Sequence, residues 1–335
     1  MQHRRLGRTG LKVSVICLGT MTFGAQCDEA ASVEIMNRAS EGGVNFIDTA
    51  DVYPVPVESG VSGRTEDIVG RWLRGKRDGF VLATKCRAGM GQLPWNSGLS
   101  RKHIIEAVDA SLRRLQTDWI DLYQAHSPDS ETPIEETLRA FDDLVHSGKV
   151  RYIGCSNFGA WQLAKALWTS DRLNIARFDC IQPRYNLLFR SIEDEVLPIC
   201  RDEGIGVIPY NPLAGGFLTG KYREGSPAPA GTRFDVFQGR SPIYFDRYWK
   251  QAQFEAVERL AAHFGPQNIP LAQAAVAWIL QQPGITSAIV GATRPEQLAD
   301  TLAAPTLSLT EEDLAACNDA WYGLPRPRDP QLALR

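Results

Sequence analysis

The ten residues NFIDTADVYP, 45–54, place a carboxylate, Asp48, at the end of an apolar run and a phenol, Tyr53, five positions later. Burying a lone carboxylate costs roughly several kcal/mol, so a cation is expected to meet it. Two further runs end in suitable partners: VLATK stops at Lys85 and DLYQAH at His126. A tyrosine, with an ordinary pKa of about 10, is a poor acid at neutral pH. A neighbouring ammonium favours the phenolate and lowers that pKa, and a carboxylate keeps the ammonium charged and in place. A histidine at the same rim can hydrogen-bond a substrate oxygen and orient it. Together the four could protonate an alkoxide forming from a carbonyl, the step needed when hydride arrives at carbon. No side chain delivers hydride, so this chemistry implies a nicotinamide cofactor. Singly, Asp48 and Lys85 could be a structural ion pair, Tyr53 a packing residue and His126 a core histidine. Their joint occurrence on successive strand ends favours catalysis. Asp51 reads as a turn cap without a chemical role.

These side chains meet only if the elements bearing them converge. Short apolar runs rich in β-branched residues occur at 15–19, 44–48, 80–85, 120–126, 150–156, 179–183, 206–210 and 287–292. Helical patterns fall between and after them, at about 29–41, 65–74, 101–115, 134–147, 160–169, 191–203, 251–264 and 295–303. Continuous apolar strands separated by helices predict a parallel sheet covered by helices, and eight alternations predict a closed (β/α)8 TIM barrel. In such a barrel the carboxyl ends of the strands share one mouth, where Asp48, Tyr53, Lys85 and His126 would meet. A doubly wound sheet would want GxGxxG after its first strand, and the nearest string, GIGVIP at 204–209, precedes a strand and lacks the last glycine. RRLGRTGLKVS predicts an N-terminal hairpin turning at Gly7 and Gly10 and closing the barrel bottom. Residues 222–249, after the seventh strand, are long, rich in Pro, Gly, Arg and aromatics, and read as a lid loop. No composition break divides the chain, so 1–335 reads as a single domain.

With 44% hydrophobic and 22% charged residues and a net charge of −3, the chain lacks the basic excess of a nucleic-acid or membrane-surface binder. Its start, MQHRRLGRTGLKVS, has no apolar signal core, and no run approaches a membrane span. Seven scattered cysteines without a CxxC spacing read as thiols in a reducing cytoplasm. No HExxH or His/Cys pairing points to a metal. A small-molecule partner and a monomer or weak homo-oligomer are expected.

Five segments, NFIDTADVY, VLATK, DLYQAH, GKVRYIGCSNF and IQPRYNLL, appear in the order and near the spacing of the aldo-keto reductases, and the chain resembles that family over nearly its whole length. The resemblance implies the barrel fold, NADPH-linked reduction of aldehydes and ketones, and a catalytic tetrad at Asp48, Tyr53, Lys85 and His126 with tyrosine as general acid. It also implies that Ser156, Asn157 and Gln182 grip the nicotinamide carboxamide and that Tyr210 stacks on its ring. Gly19, Thr20 and Met21 would flank the cofactor beside Asp48. In NPLAGGFLTGKY, Asn211, Pro212, Leu213 and Gly215 would bring freed backbone amides to the pyrophosphate, with Lys221 as counter-charge. GGFLTGK also fits the start of a P-loop, but Tyr222 stands where Ser or Thr is required. In GATRPEQLADTL, Gly291 allows close approach, Thr293 and Arg294 suit a 2′-phosphate at a helix start, and Gln297 and Asp300 would face adenine. That arrangement implies NADPH/NADP+ in preference to NADH. Thr301 replaces an expected Asn and Asn211 a usual Ser.

The lid and QPRYNLLFR resemble the bacterial aryl-alcohol-dehydrogenase-like members most. Met21, Phe23, Tyr53, Trp95, His126 and Tyr244 are the expected substrate pocket, suited to aromatic or otherwise hydrophobic carbonyl compounds. Two rivals remain at this stage. Potassium-channel β-subunits share the scaffold and act largely as NADPH-binding modules, and a Schiff-base barrel enzyme would use a neutral Lys85 as nucleophile.

Overall fold

The computed structural model of the protein describes residues 1–55, 61–240 and 242–325. The chain enters through an antiparallel hairpin, β1 (His3–Arg5) and β2 (Lys12–Ser14). Gly7 turns it with a φ of 57°, and a Cβ there would lie 2.4 Å from the Gly204 carbonyl. Arg8 N donates to that carbonyl at 2.7 Å, so the hairpin sits directly on the barrel floor.

Eight parallel strands follow: β3 (Ile16–Gly19), β4 (Phe46–Asp48), β5 (Val81–Cys86), β6 (Ile120–Ala125), β7 (Val150–Ser156), β8 (Cys180–Gln182), β9 (Gly206–Val207) and β10 (Ala288–Val290). They lie in the order β10-β3-β4-β5-β6-β7-β8-β9. Thr286 N donates to Val207 O at 2.8 Å and Ile289 N to Pro209 O at 2.9 Å, which closes the ring. The (β/α)8 barrel is therefore the fold. The 206–210 run is a regular strand over only two residues, though Ile208 N and Tyr210 N still donate to the Ile181 and Pro183 carbonyls at 3.0 and 2.9 Å.

Side-chain alternation separates two cores. Cys17, Phe46, Val81, Ala83, Leu122, Cys180 and Ile289 point into the barrel, where Leu6 and Val13 of the hairpin region plug its lower end. Ile16, Leu18, Ile47, Leu82, Tyr123, Ile153 and Ile181 point outward against the helices. The first six strand-to-strand connections carry α1 (Glu29–Glu41), α2 (Arg64–Leu73), α3 (Arg101–Leu115), α4 (Ile134–His146), α5 (Ala160–Leu173) and α6 (Val196–Glu203). Asp28 and Ser100 cap α1 and α3 with side-chain oxygens on backbone N–H groups.

Strict alternation fails after β9. The segment read as a lid contains α7 (Arg233–Phe237) and α8 (Ile243–Tyr248), with residue 241 outside the described residues. The expected helix at 251–264 is present as α9 (Gln251–Phe264), but it packs against α12 (Glu311–Tyr322). The helix leading into β10 is α10 (Leu271–Gln281), absent from the sequence reading. LAQAAVAWILQ is buried on almost every side and so lacks the polar stripe by which helical periodicity is recognised. The run expected at 191–203 splits into a 3-10 turn, Ser191–Glu193, and α6. The one at 295–303 splits into a 3-10 turn, Pro295–Gln297, and the short α11 (Leu298–Ala303).

Candidate active site

The inward rows end in polar residues at the barrel mouth: Asp48 on β4, Lys85 on β5, Gln124 on β6, Ser156 on β7 and Gln182 on β8. Register sets Lys85 beside Gln124 and Ser156 beside Gln182. Lys85 Nζ donates to Asp48 Oδ1 at 2.5 Å and to the Thr49 carbonyl at 2.8 Å. The Tyr53 phenol stands beside it, with Nζ 5.0 Å from the ring centre. The second Asp48 oxygen accepts from Gln182 Nε2 at 2.8 Å and Gln124 Nε2 at 3.2 Å. Both members of the ion pair are buried. Burial works against the ammonium, but Asp48 and Tyr53 outweigh it, and the lysine pKa rises above its ordinary value. Lys85 is a fixed cation, held by a carboxylate and a backbone carbonyl.

Tyr53 lies in the loop after β4, where its carbonyl accepts from Gly63 N at 3.0 Å. Its ring meets His126 edge-on, 5.8 Å between centroids, and Lys85 Nζ stands 5.0 Å from the ring centre. Burial pushes the phenol pKa up, and the opposing pull of Lys85 does not cancel that push. The expected acidification is therefore corrected: Tyr53 lies above its ordinary value and keeps its proton through neutral pH. His126 falls one residue beyond β6, fixed by its backbone N–H on the Cys86 carbonyl at 2.9 Å. Burial, then Lys85 and Arg87, lowers its pKa to about 3, so the imidazole is neutral. Asp51 does not cap a turn. It is fully buried, and burial followed by the Glu66 carboxylate raises its carboxyl pKa well above the usual range.

The mouth opens into a cavity of about 1040 Å³. Every position to which the resemblance assigns a cofactor contact, from Gly19 to Asp300, lines it. Ser156 Oγ donates to the Gln182 carbonyl at 2.8 Å and accepts from Asn157 Nδ2 at 3.0 Å. Asn157 also donates to the His126 carbonyl at 3.0 Å and accepts from the Tyr210 hydroxyl at 2.9 Å. Asn157 thus ties the Tyr210 ring to the histidine loop. Gln182 spends its amide nitrogen on Asp48 and Gln124, leaving its carbonyl end to accept from a carboxamide.

The phosphate side differs from expectation in two respects. The amides of Ala214, Gly216 and Leu218 donate to loop carbonyls, and Gly215 N donates to Asn211 Oδ1 at 2.6 Å, so these four are not free for an anion. Positive charge is gathered there instead: Arg233 and Arg294 stand close enough to Lys221 to help burial lower its pKa. The helix expected at Thr293 and Arg294 is only a 3-10 turn, whose dipole adds little. Gln297 Oε1 accepts from Thr293 N at 2.8 Å and so braces that turn. A dinucleotide fits this donor set: amide groups at one end, a tyrosine ring between, three cations at the other.

Met21, Tyr53, His126 and Tyr244 line the same cavity, whereas Phe23 and Trp95 do not. Phe23 is fully buried in the helix-facing core. Trp95 is 42% exposed, with Lys102 Nζ 5.4 Å from its ring. The sequence reading missed Gln124, although it lies two residues before His126 and so shares its inward direction. Arg233 and Arg247, both in the lid, were also missed; only their position in an arginine-rich insert signalled them.

Fold and mouth define a class, an α/β barrel presenting a phenol, a buried ammonium–carboxylate pair and a neutral imidazole to a large cavity. The chain belongs to the Aldo/keto reductase family, whose model matches residues 15–322. It is 39% identical to the uncharacterized oxidoreductase YrpG of Bacillus subtilis (strain 168) over 331 residues, covering 96% of this chain and 97% of that one. It is 38% identical to a probable voltage-gated potassium channel subunit beta of Arabidopsis thaliana over 309 residues, 91% of each chain. Protein tas of Escherichia coli (strain K12) is 35% identical over 339 residues, with 94% of this chain and 96% of that one covered.

Proposed function

We propose that the protein is an NADPH-dependent reductase of aldehyde or ketone carbonyls, with Tyr53 as general acid. One observation carries the reading: the buried Lys85 ammonium, bonded to Asp48 and the Thr49 carbonyl, stands 5.0 Å from the Tyr53 ring centre at the rim of a cavity of about 1040 Å³. A nicotinamide, when bound, supplies the hydride that no side chain can. His126, neutral, donates its single N–H to the carbonyl oxygen and holds it at the Tyr53 hydroxyl. Tyr53 passes its proton to that oxygen as negative charge develops there. The phenolate left behind is stabilised by Lys85, which Asp48 keeps charged, and is reprotonated from water. Lys221, Arg233 and Arg294 suit the phosphates, and the Arg294 fork supports NADPH over NADH. The pocket's aromatic faces, Tyr53 and Tyr244, suit hydrophobic carbonyl compounds.

The test is stoichiometric NADPH oxidation across aromatic, aliphatic, sugar and steroid-like carbonyls. Turnover of at least one class, and its loss in Tyr53→Phe, is expected; no turnover of any class contradicts the proposal. A second reading, a cofactor-binding regulatory module, draws on the plant channel-subunit relative. It predicts tight NADPH binding without turnover. The Schiff-base alternative requires an uncharged lysine, and the Asp48 carboxylate bonded to Lys85, which helps raise its pKa, opposes it.

A further inference from the structure

Glu66, on the first turn of α2, is fully buried and has no part in the chemistry assigned above. Its Oε1 accepts from the Thr84 hydroxyl on β5 at 2.6 Å. Its Oε2 accepts from Nε and Nη2 of Arg114 on α3, both at 2.7 Å. A buried ion pair adds little net stability over apolar packing, but its bonds have fixed directions. Here they hold the frame around Tyr53. On one side the loop before Tyr53 is laid along the end of β5: Thr49 N donates to Ala83 O at 2.9 Å and Asp51 N to Lys85 O at 3.1 Å. On the other, the Tyr53 carbonyl accepts from Gly63 N at 3.0 Å and from Thr65 N at 3.4 Å, at the start of α2. That turn requires glycine: Gly63 has a φ of 89°, and a Cβ there would lie 2.7 Å from Arg114 Cδ. The backbone of Tyr53 is thus suspended between β5 and α2. Glu66 bonds α2 to β5 at Thr84, the residue before Lys85.

We propose that Glu66 is a positioning residue for Tyr53: by bonding Thr84 and Arg114 it fixes the start of α2 against β5, and so sets where the phenol stands relative to Lys85 and the carbonyl oxygen. This rests on the reductase reading above and deepens it. Proton transfer needs the hydroxyl within hydrogen-bond reach of the substrate oxygen, and a misplacement of about 1 Å can cost roughly 10²-fold in rate. Glu66, Thr84 and Arg114 do not line the cavity, whereas Tyr53 does. Loss of the Glu66 bonds therefore acts on the reaction through Tyr53 or through the fold at large.

The two routes are told apart by Glu66→Gln and Thr84→Val, each made in the wild type and in Tyr53→Phe. Single-turnover NADPH oxidation is followed with 4-nitrobenzaldehyde, or with the fastest carbonyl of the screen above where another is reduced better. In the wild-type background Glu66→Gln lowers the turnover rate by about tenfold or more and Thr84→Val by a smaller factor. The NADPH Kd from fluorescence titration is unchanged in both. In the Tyr53→Phe background each substitution changes the residual rate by less than about twofold, because the group it positions is gone. Thr84→Val keeps the Glu66–Arg114 pair and carries the same comparison if Glu66→Gln does not fold. Equal fold losses in the two backgrounds overturn the proposal and leave Glu66 a role in stability alone. Wild-type rates in both single variants overturn it too, as does a rate loss matched by a weakened NADPH Kd. Each of those results leaves the reductase reading standing, whereas a wild type that reduces no carbonyl removes that reading and the role of Glu66 with it.

Discussion

Lys85→Met replaces the buried ammonium with an apolar chain of similar length. Asp48 keeps the two glutamine bonds to Oδ2 but loses the partner of Oδ1, and the Thr49 carbonyl loses its donor. Removing one member of a buried ion pair costs about 3–5 kcal/mol, because the other charge stays behind. The glutamine bonds hold the loss towards the lower end of that range. A chain of 335 residues unfolds with an entropy on the order of 0.7 kcal/mol/K, so Tm should fall by about 4–7 °C. Adding Asp48→Asn to Lys85→Met leaves no stranded charge and should recover much of the deficit. Activity should fall too, by about 10²–10⁴-fold, since burial then raises the Tyr53 pKa unopposed by Lys85. Calorimetry and NADPH oxidation at pH 7 read both effects. A single variant melting within about 1 °C of wild type, or a double variant no more stable than the single, would refute the reasoning.

His126→Gln tests the neutral imidazole. The folded pKa of about 3 lies below the ordinary 6.5, so its contribution to stability is present above pH 6.5 and drains away as pH falls towards 3. Urea unfolding at pH 7 and pH 4.5 should show a smaller acid loss in the variant than in wild type; equal losses would place the ring in water. Arg294→Ala should weaken NADPH by about tenfold or more and NADH much less, as expected for a guanidinium on the 2′-phosphate. Equal weakening of both, by fluorescence titration, would remove that role.

Much of the site was legible because strand alternation is a local property. VLATK must turn Ala83 and Lys85 to one side and Leu82 and Thr84 to the other, and the parallel ladder then brings Lys85 to Asp48. What the sequence concealed depended on tertiary surroundings. Whether Tyr53 is acidified or held protonated is a contest between burial and Lys85, and burial cannot be read from neighbours in the chain. The amides of Ala214, Gly215 and Gly216 could be counted, but not that the loop would consume them itself. Trp95 resembled a pocket residue by composition, yet its loop turns it outward beside Lys102. α10 escaped because a helix buried all round loses its periodic signature.

Tyr53→Phe removes one oxygen, and with it the proton the whole account assigns to the substrate. Single-turnover NADPH oxidation with a carbonyl that the wild type reduces, measured beside NADPH binding in the same preparation, isolates that proton. A fall in the turnover rate of about 10²-fold or more with an unchanged NADPH Kd is predicted. A variant that still reduces the carbonyl at the wild-type rate would show that the proton comes from elsewhere.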